Sequence, residues 1–219
     1  MGNILLAGTG GDRLLSELTE EALAAGNRVA VTSGPPDTKS VARNRGEKQN
    51  LYYVAWNPRS PLSARTVVTE TLNVFETIDE VIIVFSADTG KKEFHELSFA
   101  DMEKTVDDSI KSFFFLVKEV FMALQRQKKG VLVFAHHDGG AEALPPPQAA
   151  ASTAFRAFAS ALFTQYQNEP FTLYGYYSSA PETKGFARFL AAGGRTEKTA
   201  RRWTRFSDKP GFFSFARNK

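Results

Sequence analysis

The 219-residue chain contains no cysteine, which removes disulfide cross-links, thiolate metal sites and cysteine nucleophiles in one step. The neighbouring His136 and His137 do not converge on a metal as an i, i+4 helical pair would. No uninterrupted apolar run reaches the roughly 20 residues that a bilayer-crossing helix needs. Ile4-Leu5-Leu6-Ala7 is not preceded by a basic region or followed by a cleavage site. Leu6 also stands where a myristoylation signal opening on Met1-Gly2 requires Ser or Thr. These absences lead to the expectation of a cytoplasmic protein with no membrane partner and no metal. Charged residues at 23% and hydrophobic residues at 42% give no support to disorder or to a fibrous repeat.

Two features stand out against this ordinary background. Nineteen residues are Phe, a large apolar payload that exceeds what one monomer core commonly needs to hide. The net charge of +3 is also unevenly distributed. Residues 183–219 carry ten Lys or Arg against Glu197 and Asp208, which leaves residues 1–182 at −5. The basic segment reads as a solvated face or as a site for an anionic ligand or acidic partner. Arg195, Lys198, Arg201, Arg202 and Arg205 surround Trp203, but no nucleic-acid module precedes them, and nucleic acid is not an expected partner.

The pattern along the chain alternates strand and helix. Residues 4–7 form an apolar run that ends in Gly8-Thr9-Gly10-Gly11. A helical pattern follows from Leu14 to Ala25, with Leu14, Leu15, Leu18 and Ala22 on one face and Gly26 placed to end it. Strands are expected at 28–32, 51–56, 81–85, 131–135 and 171–177, with a last one at 211–215. Helices are expected at 66–75, 99–127 and 149–166, and Pro145-Pro146-Pro147 is read as a loop. Strands apolar on both faces and joined by helices predict an α/β fold: a Rossmann-like, doubly wound parallel sheet in a single domain, with its ligand site at the strands' carboxyl ends.

A glycine-rich turn between a first strand and a first helix lets backbone N–H groups approach a pyrophosphate. Here that turn is Gly8, Thr9, Gly10, Gly11, Asp12, Arg13 and Leu14, and with the order of elements it resembles the opening of short-chain dehydrogenases. Their turn has the form Thr-Gly-x-x-x-Gly-x-Gly, which places Gly8 on the first glycine and Asp12 and Leu14 on the other two. The resemblance implies NAD or NADP as cofactor, with Gly8, Gly10, Gly11 and Arg13 as the residues to hold it. Asp12 would compete with a phosphate for the helix N-terminus and Leu14 adds bulk, so no tight binding is expected. Thr32-Ser33 occupy the end of the second strand, where the family carries a carboxylate for the ribose. Arg43 and Arg45 are candidates for meeting a 2′-phosphate.

The resemblance covers about the first 180 residues, and its best local match is the helix at 149–166. Setting Ala154, Phe155, Ala157, Phe158 and Ser160-Ala161-Leu162 on the family's small and apolar positions puts Gln148 at the catalytic Tyr and Ser152 at the catalytic Lys. His136-His137 then fall on the serines of the fifth strand, and Ser109 lies near the Asn of the preceding helix. No Tyr-x-x-x-Lys occurs between Leu132 and Tyr177. Glutamine supplies no proton comparable to a phenol with a nearby ammonium.

The resemblance therefore implies a non-catalytic, dehydrogenase-like subunit that assembles with an active relative. It is similar in this respect to the inactive chain of the short-chain-type dehydrogenase acting on a benzylsuccinate-type acyl-CoA intermediate. Two alternatives stay open. One is an atypical NAD(P)-dependent oxidoreductase using His137, or one of Tyr174, Tyr176 and Tyr177, as its acid. The other is a ligand-binding or regulatory module. Pairing as a homo- or hetero-oligomer is expected through helices 99–127 and 149–166, because Phe113-Phe114-Phe115 spans more than half a helix circumference at about 100° per residue.

Overall fold

In the computed structural model, residues 1–8, 13–34, 50–87, 93–139, 144–193 and 195–207 are described. The strands are β1 (Asn3–Gly8), β2 (Arg28–Ser33), β3 (Leu51–Ala55), β4 (Glu80–Ser86), β5 (Val131–His137), β6 (Thr172–Ser178) and β7 (Trp203–Arg205). They form one sheet in the order β3-β2-β1-β4-β5-β6-β7, and every pairing between them is parallel. The helices are α1 (Arg13–Ala24), α2 (Pro61–Phe75), α3 (Phe99–Val106), α4 (Ser112–Gln127), α5 (Pro146–Gln165) and α6 (Lys184–Ala191). This is the expected doubly wound α/β architecture.

Alternation along the strands builds two cores, one on each face of the sheet. Leu5, Ile83, Phe85, Leu132 and Phe134 point to the side covered by α2, α4 and α5. Leu6, Val31, Val84, Val133 and Tyr176 point to the side covered by α1 and α6. The same parity carries into the end of β5. His136 shares the face of Phe134, and His137 shares that of Ala135.

Several boundaries differ from expectation for identifiable reasons. The proline run does not form a loop: Pro145 is the N-cap of α5, with Pro146 and Pro147 in its first turn, where a missing N–H costs no helical hydrogen bond. α2 likewise starts at Pro61, and the Ser60 hydroxyl accepts from the Ser63 N–H at 3.2 Å. The single helix expected over 99–127 is broken by a π-helical turn at Asp107–Lys111 that separates α3 from α4. β5 extends to His137, so both histidines are strand residues. The described part of the basic segment contributes α6 and β7, neither of which the apolar periodicity marked. The strand expected at 211–215 lies outside the described residues.

The Phe113-Phe114-Phe115 run divides between destinations. Phe113 is buried in the core beside Phe85 and Phe155. Phe114 is half-exposed and meets Phe158 of α5 at 4.6 Å between ring centroids, and Phe115 is partly buried.

Candidate functional site

The strand order reverses direction at β1, with β2 and β3 on one side and β4 to β7 on the other, and the crevice at such a switch point is where open α/β sheets bind ligands. Gly8 closes β1 there. A Cβ on it would lie 3.3 Å from the Val84 carbonyl oxygen and 3.4 Å from Leu15, so any side chain there would crowd β4 and α1. The next four residues, Thr9, Gly10, Gly11 and Asp12, lie outside the described residues, as do Arg43 and Arg45.

The described neighbours of Gly8 have other partners. The Thr32 hydroxyl accepts from the Gly8 N–H at 3.2 Å and lies 3.3 Å from its carbonyl oxygen, so it ties β1 to β2 and the end of β2 presents no carboxylate. Leu14 is fully buried in the core on the α1 side. The Arg13 guanidinium is paired with Glu17 at 2.8 Å and with Glu182 at 2.9 Å. Close approach at Gly8 suits a dinucleotide, but a ribose carboxylate and an unpaired cation are missing at the other described positions.

The second part of the site lies where β5, β6 and β7 end beneath α5. Pairing sets Phe85 opposite His136, His136 opposite Tyr177, and Tyr177 opposite Arg205. These four residues form one row across four strands, on the face toward α5. Above the row, Gln148, Ser152 and Arg156 recur every four residues on α5 and share one helix face.

His136 is buried in a cluster of aromatic rings. Its ring stacks on Phe85 at 5.3 Å and 4° and on Phe155 at 6.4 Å and 25°, and it meets the Trp203 ring edge-on at 6.3 Å. Its Nε2 lies 2.7 Å from Ser152 Oγ, while Nδ1 is buried without a hydrogen-bond partner. Burial pushes the pKa of His136 down to about 4; Arg156 lowers it further and Asp138 opposes the shift. The imidazole is therefore neutral at physiological pH and carries one proton. An unpaired N–H is costlier to bury than an unpaired lone pair, which assigns that proton to Nε2. In that tautomer Nε2–H donates to Ser152 Oγ.

His137 occupies the opposite face. It is buried, and its Nε2–H donates to the Ala180 carbonyl at 2.8 Å, a contact that fastens β5 to the segment after β6. Asp138, the next residue, accepts from Ser179 Oγ at 2.8 Å. The structure thus separates the histidine pair and joins His136, not His137, to Ser152. Ser109 sits half-buried in the π-turn, and turns of this kind are frequent at functional sites. Gln148 is half-buried in the first turn of α5.

Arg156 was not identifiable from its own sequence position, although its spacing of four residues from Ser152 was the available signal. Its guanidinium carbon lies 4.4 Å from the Tyr177 ring centroid and 5.3 Å from that of Trp203. Trp203 Nε1 donates to the Arg156 carbonyl at 3.2 Å and to Ser160 Oγ at 3.1 Å. Tyr174 and Tyr176 stack on each other within the core on the α1 side. Of the three tyrosines on β6, only Tyr177 faces His136 and Ser152.

A cavity of about 290 Å³ opens between β3 and α2, lined by Tyr52, Tyr53, Glu70 and Asn73 among others. It lies at the side edge of the sheet and contains none of the strand-end residues. Among the described residues, no group of three or more His, Asp and Glu side chains could hold a metal ion, and no helix is long and apolar enough to cross a membrane.

A parallel sheet in this order, with a glycine at the first strand end and a polar helix stripe over the fifth and sixth, is the frame of a nucleotide-dependent oxidoreductase. The chain belongs to the short-chain dehydrogenase family, whose model, described as short chain dehydrogenase, matches residues 8–174. Serine dehydrogenase from Escherichia coli is similar in structure, with a TM-score of 0.75 at 14% identity over 93% of this chain and 96% of that one. ElxO with NADP bound gives 0.76 at 11% identity over 94% and 97%. An apo SCOR enzyme from Clostridium thermocellum gives 0.74 at 15% identity over 94% and 91%. At these identities the likeness concerns the fold. No protein with a curated description matches the sequence.

Proposed function

We propose that this chain is a non-catalytic member of its family that serves as a subunit beside an active NAD(P)-dependent dehydrogenase. The observation that carries this reading is the pairing of His136 with Ser152 at 2.7 Å. Where the family places an ammonium and a phenol on one helix face, this helix offers Ser152 and Gln148. Ser152 is engaged by a buried neutral imidazole, and neither residue can deliver a proton to a developing alkoxide. NAD or NADP is proposed to bind weakly at most, since Thr32 and Arg13 have other partners.

Exposed apolar residues on the α3, α4 and α5 side support assembly. Phe99 is 86% exposed, Val106 45% and Phe114 43%, and Phe114 bridges to Phe158 across the groove between α4 and α5. Exposed large apolar side chains of this kind are what an interface would cover. The partner is proposed to be a second copy or an intact dehydrogenase of the same family. The benzylsuccinate-type acyl-CoA dehydrogenase, with its paired active and inactive chains, is the arrangement it would most resemble.

A second reading, an atypical oxidoreductase, is favoured by one observation: Tyr177 shares the cleft face with Ser152 and lies under Arg156. Following nicotinamide absorbance across a panel of ketones and alcohols separates the two readings. The isolated chain is expected to show no turnover, and co-expression with an intact homologue is expected to yield a stable mixed oligomer. Turnover by the isolated chain that is lost in Tyr177→Phe or His137→Ala would overturn the non-catalytic reading.

A further inference from the structure

We infer that the cavity between β3 and α2 binds a small protonated amine with an apolar body, in which Glu70 and Asn73 hold the ammonium group. The site is separate from the switch-point crevice and from the residues of α5, and it goes beyond the proposed function.

The fold sets the cavity apart from both. α2 begins at Pro61, beyond the carboxyl end of β3, and runs back along the sheet, so Glu70 lies about 14 Å along the helix from its start. Ala30 of β2 and Val54 of β3, both buried in the core, form an apolar floor. Tyr52 adds aromatic surface and is fixed by a T-shaped contact with Phe75, at 5.3 Å and 82°. The Thr71 hydroxyl donates to the Val67 carbonyl at 2.8 Å, so it offers the lining no free donor. A volume of about 290 Å³ is at the small end for a ligand site and holds about ten non-hydrogen atoms.

The rim decides the sign of the charge. Glu70 and Asn73 stand three residues apart on α2 and share the helix face that borders the cavity. Both are exposed, and neither side chain has a hydrogen bond or ion pair among the described residues. A carboxylate and an amide carbonyl are both acceptors, which an ammonium group with three donors can bridge. Asn73 and Val74 lie in the last turn of α2, where the carbonyl end of the helix also favours positive charge. The same features repel carboxylates and phosphates. Arg28 reaches this end of α2, but its guanidinium donates to the Val74 carbonyl at 3.0 Å and lies 4.5 Å from the Phe75 ring centroid. It does not line the cavity.

The probe is 2-phenylethylamine, which is of this size. It is compared with 2-phenylethanol, which lacks the charge, and with ethylamine, which lacks the apolar body. Each is titrated at neutral pH and low salt into the full chain without cofactor, and binding is followed by the Tyr52 ring resonances. The amine is expected to bind at about millimolar affinity, the alcohol about fivefold more weakly and ethylamine at least about tenfold more weakly. Saturating amine is expected to shift Tyr52 and to leave the indole of Trp203, at the opposite edge of the sheet, unmoved. Glu70→Gln is expected to lower the amine to the affinity of the alcohol, and Val74→Trp to fill the cavity and abolish binding of both. Should Val74→Trp fail to fold, the three-ligand comparison on the unmodified chain and Glu70→Gln, a change at an exposed position, remain decisive. Equal binding of amine and alcohol, ethylamine as tight as the larger amine, a preference that survives Glu70→Gln, an unmoved Tyr52 or no binding at all would each overturn the assignment. The experiment uses neither cofactor nor partner subunit, so its failure is distinct from a failure of the proposed function.

Discussion

Removing the Ser152 hydroxyl tests the centre of the site directly. In Ser152→Ala the His136 ring loses its one hydrogen bond, because Nδ1 has no partner already. At 2% exposure the ring cannot turn to water for a replacement. A buried polar group stranded in this way costs about 1–3 kcal/mol. For a chain of this size each kcal/mol corresponds to about 2–4 °C in melting temperature.

His136→Phe removes both nitrogens and keeps an aromatic ring in the cluster with Phe85 and Phe155, so it is expected to be near neutral. In that background Ser152→Ala should cost little, and a double-mutant cycle should return a coupling of about 1–2 kcal/mol. Urea unfolding followed by the fluorescence of Trp56 and Trp203 supplies the free energies. Ser152→Ala costing the same with and without His136 would refute the pairing.

The same histidine sets a pH dependence whose sign is fixed. Its pKa falls from 6.5 in the unfolded chain to about 4 in the fold, so the unfolded state alone takes up a proton between those values. The contribution is complete above pH 6.5 and is lost as pH falls toward 4, at about 1.4 kcal/mol per unit and about 3 kcal/mol in all. His136→Phe should flatten this part of the stability profile, and an unchanged slope would show that the imidazole is not neutral in the fold.

Further outcomes follow from other parts of the molecule. Glu80 at the start of β4 and Arg195 after α6 form a buried ion pair, and burial pushes the Glu80 carboxyl up to about 7 against the pull of Arg195. Arg195→Met should cost about 3–5 kcal/mol in urea unfolding, with Glu80→Leu in the same chain recovering most of it. A Cβ at Gly175 would sit 2.8 Å from the Trp203 ring and 2.9 Å from Phe163, so Gly175→Ala should cost about 1–3 kcal/mol through overpacking and release β7. Phe114→Glu with Phe99→Glu should turn an oligomer into a soluble monomer by light scattering, and an unchanged mass would remove the interface from α3 and α4.

Much of the scaffold was legible in the order of residues, because it depends on local repetition. Apolar runs such as Ile82-Ile83-Val84 can be satisfied only by a sheet covered on both faces, and Gly8 after the first of them marks the turn into the first helix. The absence of a Tyr-x-x-x-Lys between Leu132 and Tyr177 needs no coordinates either. Short elements with weak periodicity stayed hidden: β7 has only three residues, and its place beside β6 rests on Trp203 filling the space above Gly175.

What only the tertiary structure decided is which of the polar residues meet. His136 and His137 are equivalent as neighbours in a sequence, and strand parity alone says that they part without saying which one meets a helix. The packing of α5 over the α5-facing side of β5 and β6 settles that His136 bonds Ser152 while His137 bonds Ala180. The same packing lays Arg156 across Tyr177 and Trp203, residues that lie 21 and 47 positions away. Spacing within one helix can align Gln148, Ser152 and Arg156, but only burial against a second element sets their partners, because an imidazole's proton and a guanidinium's free edge depend on what surrounds them.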